Sequence, residues 1–314
     1  MGLNSLTSCT LCPRRCRADR TTSRGFCGAG ASPEAAVICL HTGEEPPLVQ
    51  GRDAAHHGVV NLFFAHCNLQ CTYCQNGDIS APHVDTALVR YTSLEGIADA
   101  IAQLLPSSSG ILGLVTATHY AHLIAPLLAA LRERGATPTV LYNSSGYETV
   151  ETLRSLEGLV DIYLPDYKYS DAQLAARYSH AADYHEVAAE ALREMIRQVG
   201  SGLKTDEAGT AYRGIIVRHL VLPGHVDNSI RALDTLSSLT PFGGALHVSL
   251  MAQYYPPTPT LPPPLDRTVY PEEYRRVVEH YVSLGFDGWA QELCAQDTYR
   301  PHFADDDPFT PDRP

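Results

Sequence analysis

The chain has 314 residues, of which 44% are hydrophobic, and its formal net charge is −12. This length can bury a large core, and one large domain with an appendage is the simplest organisation. The negative charge argues against a nucleic-acid partner or an anionic membrane, because either would need a basic face. No apolar run reaches the roughly 18 to 20 residues of a membrane span, and the N-terminus lacks the regions of a signal peptide. We therefore expect a cytoplasmic protein.

The N-terminal stretch CTLCPRRCRADRTTSRGFCGAG contains four cysteines, namely Cys9, Cys12, Cys16 and Cys27. The chain has nine cysteines, seven of them in two tight groups, which favours metal ligation in a reducing compartment over a disulfide framework. Spacing alone fits either an auxiliary 4Fe-4S cluster or an all-cysteine zinc site. We assign residues 1–55 to a cysteine-rich N-terminal extension that carries this metal or cluster site.

Apolar, β-branched-rich runs alternate with helical patterns along the rest of the chain. The six predicted strands are residues 59–64, 111–116, 139–142, 159–164, 214–222 and 245–250. The predicted helices are residues 94–105 behind a Thr92 and Glu95 capping box, 123–134, 148–156, 171–178, 184–199, 228–239 and 272–284.

This alternation predicts an α/β fold with a parallel sheet and right-handed crossovers. Six units over residues 56–300 would form an open, partial (β/α)6 TIM-like barrel, and a doubly wound sheet is the main rival. The acidic, proline-punctuated residues 301–314 are expected to be a disordered tail. In a barrel, functional groups collect at the carboxyl ends of the strands.

Three further cysteines, Cys67, Cys71 and Cys74, lie within eight residues directly after the first predicted strand. A zinc site completed by a distant His or Cys is one interpretation, and an iron-sulfur cluster is the other. Structural zinc usually takes two close pairs of ligands from separate segments, whereas here there is one close trio. Three thiolates can hold three irons of a 4Fe-4S cube and leave the fourth iron open.

The C-x3-C-x2-C pattern, with Tyr73 before its last cysteine, resembles that of the radical S-adenosylmethionine (SAM) superfamily. Further blocks of the sequence resemble one uncharacterised subfamily of this superfamily, whose members are similar to pyruvate formate-lyase activating enzymes. These blocks include LHTGEEPP, LVTATHY, LYNSSGYETVETL, DIYLPDYKYS, RGIIVRHLVLPG and SLMAQYYP. The resemblance implies a partial (β/α)6 barrel and a catalytic 4Fe-4S cluster on Cys67, Cys71 and Cys74. It also implies reductive cleavage of SAM to a 5′-deoxyadenosyl radical, which abstracts hydrogen from a substrate, with flavodoxin or ferredoxin as electron donor.

Several cofactor contacts follow from the same resemblance. Tyr73 is expected near the adenine and Asn76 near bound SAM. Asp166 and Lys168 match an Asp-x-Lys pair that contacts SAM or a cation beside it, and Arg218 matches an arginine on the SAM side. A surface ion pair is the alternative for Asp166 and Lys168, and a solvated strand end for Arg218.

The chain departs from the activating enzymes at two strand ends. Their Gly-Gly-Glu, which holds the SAM amino group, is replaced after the second strand, where Thr116 and Thr118 are the candidate substitutes and His119 follows as a candidate acid-base group. After the sixth strand Gln253 stands where those enzymes place a histidine. The remaining candidate contacts, which follow the third strand, are Asn143 and Ser144.

Three functions remain open on the sequence. The chain could act on a partner protein, as the activating enzymes do, or on a small molecule or peptide. The third alternative is a non-catalytic metal-binding interaction module. The open-iron cysteine motif and the polar strand ends favour catalysis over this third alternative.

Overall fold

The fold is built around one β-sheet. The structure is a computed structural model and describes residues 6–51, 53, 55–240, 246–297, 300–305 and 307–309. The strands within this part are β1 (Ala35–His41), β2 (Val59–Phe64), β3 (Ile111–Val115), β4 (Thr139–Ser144), β5 (Ile162–Pro165), β6 (Lys204–Thr205), β7 (Ala211–Leu220), β8 (His247–Met251) and β9 (Asp287–Ala290). Their order in the sheet is β1-β2-β3-β4-β5-β7-β8-β9, and β6 pairs with β7.

Seven strands from β2 to β9 in this path run parallel, and β1 is antiparallel to β2 at one edge. One row of the register joins Leu62, Leu114, Tyr142 and Tyr163 across four strands. No pairing between β1 and β9 occurs in the described residues, so the sheet stays open there. The prediction of a mostly parallel α/β fold is therefore confirmed.

Helices follow the parallel strands. They are α1 (Pro46–Val49), α2 (Gly77–Ser80), α3 (Leu94–Leu104), α4 (Ala121–Glu133), α5 (Val150–Ser155), α6 (Ala172–Ser179), α7 (Tyr184–Val199), α8 (Val226–Ser238) and α9 (Pro271–Leu284). Side-chain caps start several of them: the Ser93 hydroxyl accepts a hydrogen bond from the Gly96 N–H, so Ser93 and not the predicted Thr92 begins α3. None of the helices described is both long and apolar enough to cross a membrane.

The two faces of the sheet bury different clusters. Alternate residues of β2, such as Val60 and Leu62, pack with the helices in the main core. On the other face Val59, Ile111 and Ile216 pack with residues of α1 and close the amino-terminal end of the barrel interior. This apolar plug leaves the carboxyl ends of the strands as the place where a cavity can form.

The N-terminal region is joined to the barrel at several points. The Arg14 guanidinium donates hydrogen bonds to the carbonyls of Asn68 and Ser179 at 2.9 and 2.8 Å, and the Thr152 hydroxyl donates to the Leu11 carbonyl at 2.7 Å. Residues 35–41 form β1. The later part of the predicted extension, residues 1–55, therefore contributes a strand to the barrel sheet.

The C-terminal segment was expected to be disordered, whereas two of its phenylalanines pack against the barrel. Phe303 is 1% exposed and contacts Phe63 and Phe309. The Arg90 guanidinium donates to the Phe303 and Asp305 carbonyls at 3.1 and 2.6 Å. Burying one phenylalanine stabilises the folded state by about 2 to 3 kcal/mol. The acidic, proline-rich composition of the segment does not reveal this contribution. Residues 310–314 of the predicted tail lie outside the described residues.

Candidate active site

A cavity of about 460 Å³ lies at the carboxyl ends of the parallel strands. This volume is within the range of small-molecule and cofactor pockets. Twelve of the thirteen barrel residues predicted to bind a cluster or cofactor line it: Cys67, Cys71, Tyr73, Cys74, Asn76, Thr116, Asn143, Ser144, Asp166, Lys168, Arg218 and Gln253. The exception is Thr118.

The cysteine loop after β2 is held in a constrained conformation. His66 and Gln70 have φ angles of 72° and 58°, in the left-handed region that non-glycine residues rarely adopt. The Leu69 N–H points at the Cys67 sulfur at 3.3 Å. Burial raises the pKa of the Cys67 thiol to about 12 and that of Cys71 to about 11. These thiols are therefore protonated unless a cation stabilises the thiolates.

A chain of buried hydroxyls leads to the Cys71 sulfur. The Ser179 hydroxyl donates to that sulfur at 2.9 Å, and the Tyr169 hydroxyl lies 2.7 Å from both the Ser179 and the Tyr73 hydroxyls. Tyr73, expected near an adenine, is thereby fixed against the cysteine loop.

Two neighbouring loops place the polar groups after β3 and β4. Thr116 has a φ of 57°, and its N–H donates to the Asn143 carbonyl at 2.9 Å. The loop after β4 turns at Gly146, with a φ of 75°, and a Cβ there would lie 2.2 Å from the Asp166 carbonyl oxygen. Glycine is required at this close approach, which packs the β4 loop against the end of β5.

Asp166 and Lys168 form an ion pair inside the cavity, so the surface ion pair considered from the sequence is wrong. The Lys168 Nζ lies 2.5 Å from Asp166 Oδ2, and the two side chains are 16% and 20% exposed. Burial lowers the pKa of Lys168, but the Asp166 carboxylate and the Cys71 thiol raise it, and the net result is a pKa above its usual value. The lysine is thus cationic at neutral pH.

Arg218 forms a buried triad with two glutamates of the segment after β1. Its Nε and Nη2 donate to the two Glu45 oxygens at 2.8 and 2.7 Å, and Nη2 also donates to Glu44. The second oxygen of Glu44 accepts from Asn61 Nδ2 at 2.7 Å. Arg218 is therefore not a solvated strand end, and neither glutamate was among the residues predicted for the site.

Thr118 and His119 lie behind the cavity and do not line it. The Thr118 hydroxyl donates to Glu148 at 2.6 Å, and His119 Nε2 donates to the Ala65 carbonyl at 2.8 Å. Burial lowers the pKa of His119 to about 3, so this histidine stays neutral. The expected roles of Thr118 as a cofactor contact and of His119 as an acid-base group do not fit these positions, because both side chains are used in packing the β3 loop.

Three glutamines connect the cysteine loop with the last two strands. Gln75 Nε2 donates to the Gln253 carbonyl, and Gln291 Nε2 donates to Gln253 Oε1, both at 2.9 Å. All three line the cavity. The sequence pointed to Gln253 alone, since Gln75 and Gln291 carry no recognisable spacing.

Aromatic side chains form another part of the lining. Phe63, Trp289 and Phe309 all line the cavity, as does His41, whose ring centroid lies 4.2 Å from that of Phe309. Phe309 comes from the C-terminal segment and Trp289 from β9. Neither segment was recognised from the sequence as part of the site.

The four N-terminal cysteines lie on one looped segment. The Cys9 N–H donates to the Ala18 carbonyl at 3.0 Å, and the Arg17 N–H returns a bond to the Cys9 carbonyl at 2.9 Å. Burial raises the pKa of Cys12 to about 12, and the nearby thiols of Cys27 and Cys9 act in the same direction. No three His, Cys, Asp or Glu side chains in the described ranges are grouped tightly enough to hold a metal ion as they stand.

Comparison with known proteins gives sequence and structural relatives. No family model matches the chain. An uncharacterised protein from Methanocaldococcus jannaschii is 31% identical over 228 residues, which are 71% of this chain and 60% of that protein. The chain therefore spans less than two thirds of the length of this relative.

A radical SAM methyltransferase from Sphaerobacter thermophilus has a TM-score of 0.49 at 16% identity, with 72% of this chain and 63% of that chain covered. A domain of a pyruvate-formate lyase-activating enzyme from Bacteroides vulgatus scores 0.39 at 12% identity, covering 55% of this chain and 92% of that one. Streptococcus suis SuiB, bound to its precursor peptide SuiA, scores 0.47 at 13% identity, covering 74% and 48%.

Proposed function

We propose that the chain is a radical SAM enzyme of the activating-enzyme-like kind, with its active site in the cavity at the carboxyl ends of the strands. The observation that carries this proposal is that Cys67, Cys71 and Cys74 line the same cavity as the Asp166–Lys168 pair. Thiolates can hold an iron-sulfur cluster, and a cation beside a carboxylate can meet the charged groups of SAM.

The donor set fits a 4Fe-4S cluster. Three thiols face one cavity, and the Leu69 N–H and Ser179 hydroxyl are already directed at two of the sulfurs. No three metal-ligating side chains in the described part of the chain are grouped for a single ion, whereas a cluster spreads its ligands over separate irons. When bound, the cluster and SAM would supply one-electron cleavage of a carbon–sulfur bond of SAM and a 5′-deoxyadenosyl radical.

The protein residues then have separate tasks. Lys168 would meet a carboxylate of the cofactor, and Asp166 keeps the lysine charged and oriented. Asn76 precedes α2 and its side chain makes no capping hydrogen bond, so its amide is available to the cavity. Tyr73 is buried and held through Tyr169, which suits a rigid surface for a purine ring.

The test is conversion of SAM to 5′-deoxyadenosine by anaerobically reconstituted protein, reduced with dithionite and, separately, with flavodoxin or ferredoxin. Wild-type protein should form the product, and Cys71→Ala should not. Cys294→Ala is the matched control, because Cys294 is exposed and does not line the cavity. Product formation by Cys71→Ala at the wild-type rate, or no SAM binding by wild-type protein with an assembled cluster, would refute the proposal.

We propose in addition that Cys9, Cys12, Cys16 and Cys27 bind a second 4Fe-4S cluster, for which zinc is the alternative. Cys12 and Cys27 are buried, and the Ala29 N–H points at the Cys27 sulfur at 3.5 Å. Cys12→Ala should lower the total metal content and leave the Cys71-dependent cluster assembled. Iron and zinc analysis of this variant against wild type identifies the metal, and an unchanged metal content would refute the second site.

A further inference from the structure

The charges that line the cavity do not balance. Among the described residues, the charged side chains of the lining are Glu44, Glu45, Asp166, Lys168 and Arg218, three carboxylates against two cations. His41 adds no positive charge at neutral pH, because burial lowers its pKa. The lining therefore carries one excess negative charge.

The excess charge is located at Glu44. Asp166 is paired with Lys168, and Arg218 meets both oxygens of Glu45 in a two-pronged contact. Glu44 shares only one nitrogen of the same guanidinium, and its side chain is 5% exposed. A buried carboxylate without a cation of its own is costly, so this position favours a ligand that brings a positive charge.

Hydrogen-bond acceptors also outnumber donors around Glu44. An ionised carboxylate has about four acceptor positions, of which Glu44 uses one for Arg218 and one for Asn61. Asn61 is fully buried, and its Oδ1 has no hydrogen-bond partner. The Asn61 oxygen lies against Gly113 of β3, where a Cβ would be only 1.9 Å away from it. Val115, two residues later in β3, points to the same face of the sheet and lines the cavity. Asn61 Oδ1 therefore faces the barrel interior.

The position of this acceptor group separates it from the cysteines. Asn61 lies three residues before the end of β2, about 10 Å along the strand, whereas the cysteine loop follows that end. The aromatic rings of Phe63, Trp289 and Phe309 line the same cavity. Aromatic faces attract organic cations and add to the binding that a carboxylate provides.

We propose that the floor of the cavity binds the ammonium group of an organic amine substrate, and that Glu44 selects it. This inference rests on the proposed radical SAM function and names its substrate class. A primary ammonium has three N–H donors on one compact charge, and the cavity-lining Glu44 has spare acceptor positions for them. The amine can belong to a small molecule or to a lysine side chain in a peptide.

The experiment measures binding to the reconstituted enzyme with SAM, by calorimetry at one fixed KCl concentration and again at a higher one. The probes are n-butylammonium against n-butanol, and acetyl-Gly-Lys-Gly-amide against its norleucine analogue. At least one of the two cations should bind at least tenfold more tightly than its neutral isostere. Binding of n-butylammonium indicates a small amine, and binding of the lysine peptide alone indicates a peptide substrate.

Glu44→Gln should abolish the preference for the cation, and Glu44→Asp should retain it. Glu186→Gln, a change at an exposed glutamate outside the cavity, is the matched control and should behave as wild type. The preference is a ratio within one variant, so a lower yield of folded protein does not change it.

Three results would overturn the inference: equal binding of cation and isostere by wild type, an unchanged preference in Glu44→Gln, or complete displacement of both cations by K⁺. Iron content, the cluster signal in electron paramagnetic resonance and SAM cleavage are measured on the same samples. Their absence would refute the radical SAM proposal, whereas their presence without a preference for the cation would refute only the amine proposal.

Discussion

Arg14 links the N-terminal cysteine loop to the loop that carries Cys67, Cys71 and Cys74. Its replacement should lower the stability of the fold. The guanidinium donates to the carbonyls of Asn68, Leu69, Ser179 and His180, and it lies 4.1 Å from the Phe26 ring centroid. The two best bonds that are partly buried, to Asn68 and Ser179, contribute about 1.5 kcal/mol each as charge-assisted hydrogen bonds. Stacking on Phe26 adds about 0.5 to 1 kcal/mol.

Arg14→Ala should therefore lower the free energy of unfolding by about 3 to 4 kcal/mol, as measured by urea denaturation of the metal-free protein. Arg14→Lys keeps the charge but not the planar fork, so it should recover less than half of the loss. Arg15→Ala is the control, because Arg15 is exposed and its nearest carboxylate, on Glu151, is 3.9 Å away. An Arg14→Ala protein within 0.5 kcal/mol of wild type, or full recovery by lysine, would refute this account.

Three further predictions concern the site and its support. Asp166→Ala should weaken SAM binding chiefly by releasing Lys168, and an unchanged dissociation constant would count against the assigned role. Ser179→Ala removes a donor to the Cys71 sulfur, so a redox titration of the cluster should give a more negative potential, while an equal potential would contradict this. Burial raises the pKa of Glu148 from its ordinary 4.5 to about 7, so the folded state keeps a proton that the unfolded state loses. Wild-type stability should thus fall by up to about 3 kcal/mol between pH 4.5 and 7 relative to Glu148→Gln, and parallel urea-denaturation profiles for the two proteins would exclude this.

Six of the seven parallel strands could be read from the sequence because they are largely buried on both faces. Runs such as Val59–Phe64 are almost uniformly apolar, and the structure has a strand at each of the six predicted places. β9, Asp287–Ala290, escaped this reasoning because it is short and mostly exposed. β1, Ala35–His41, follows a cysteine-rich loop with no turn signal typical of a hairpin, and its pairing with β2 depends on the whole sheet.

The candidate site was predictable where its residues share a local motif or a strand end. Cys67, Cys71 and Cys74 are close in sequence, and Asp166 and Lys168 follow a strand. Glu44 and Glu45 were not predictable, because their partner Arg218 is 174 and 173 residues away. Pairing over such a distance is decided by the sheet order and by the space inside the barrel, neither of which a local pattern contains.

The same distance between the glutamates and Arg218 has a consequence for the order of folding. Contacts between residues far apart in the chain form only after much chain entropy has been lost, so the triad of Glu44, Glu45 and Arg218 belongs to a late step. Until β7 reaches the sheet, both carboxylates remain hydrated. The closing of the barrel interior is therefore coupled to the burial of these three charged side chains. A chain that lacks β7 also lacks Arg218 and cannot form the triad at the bottom of the cavity.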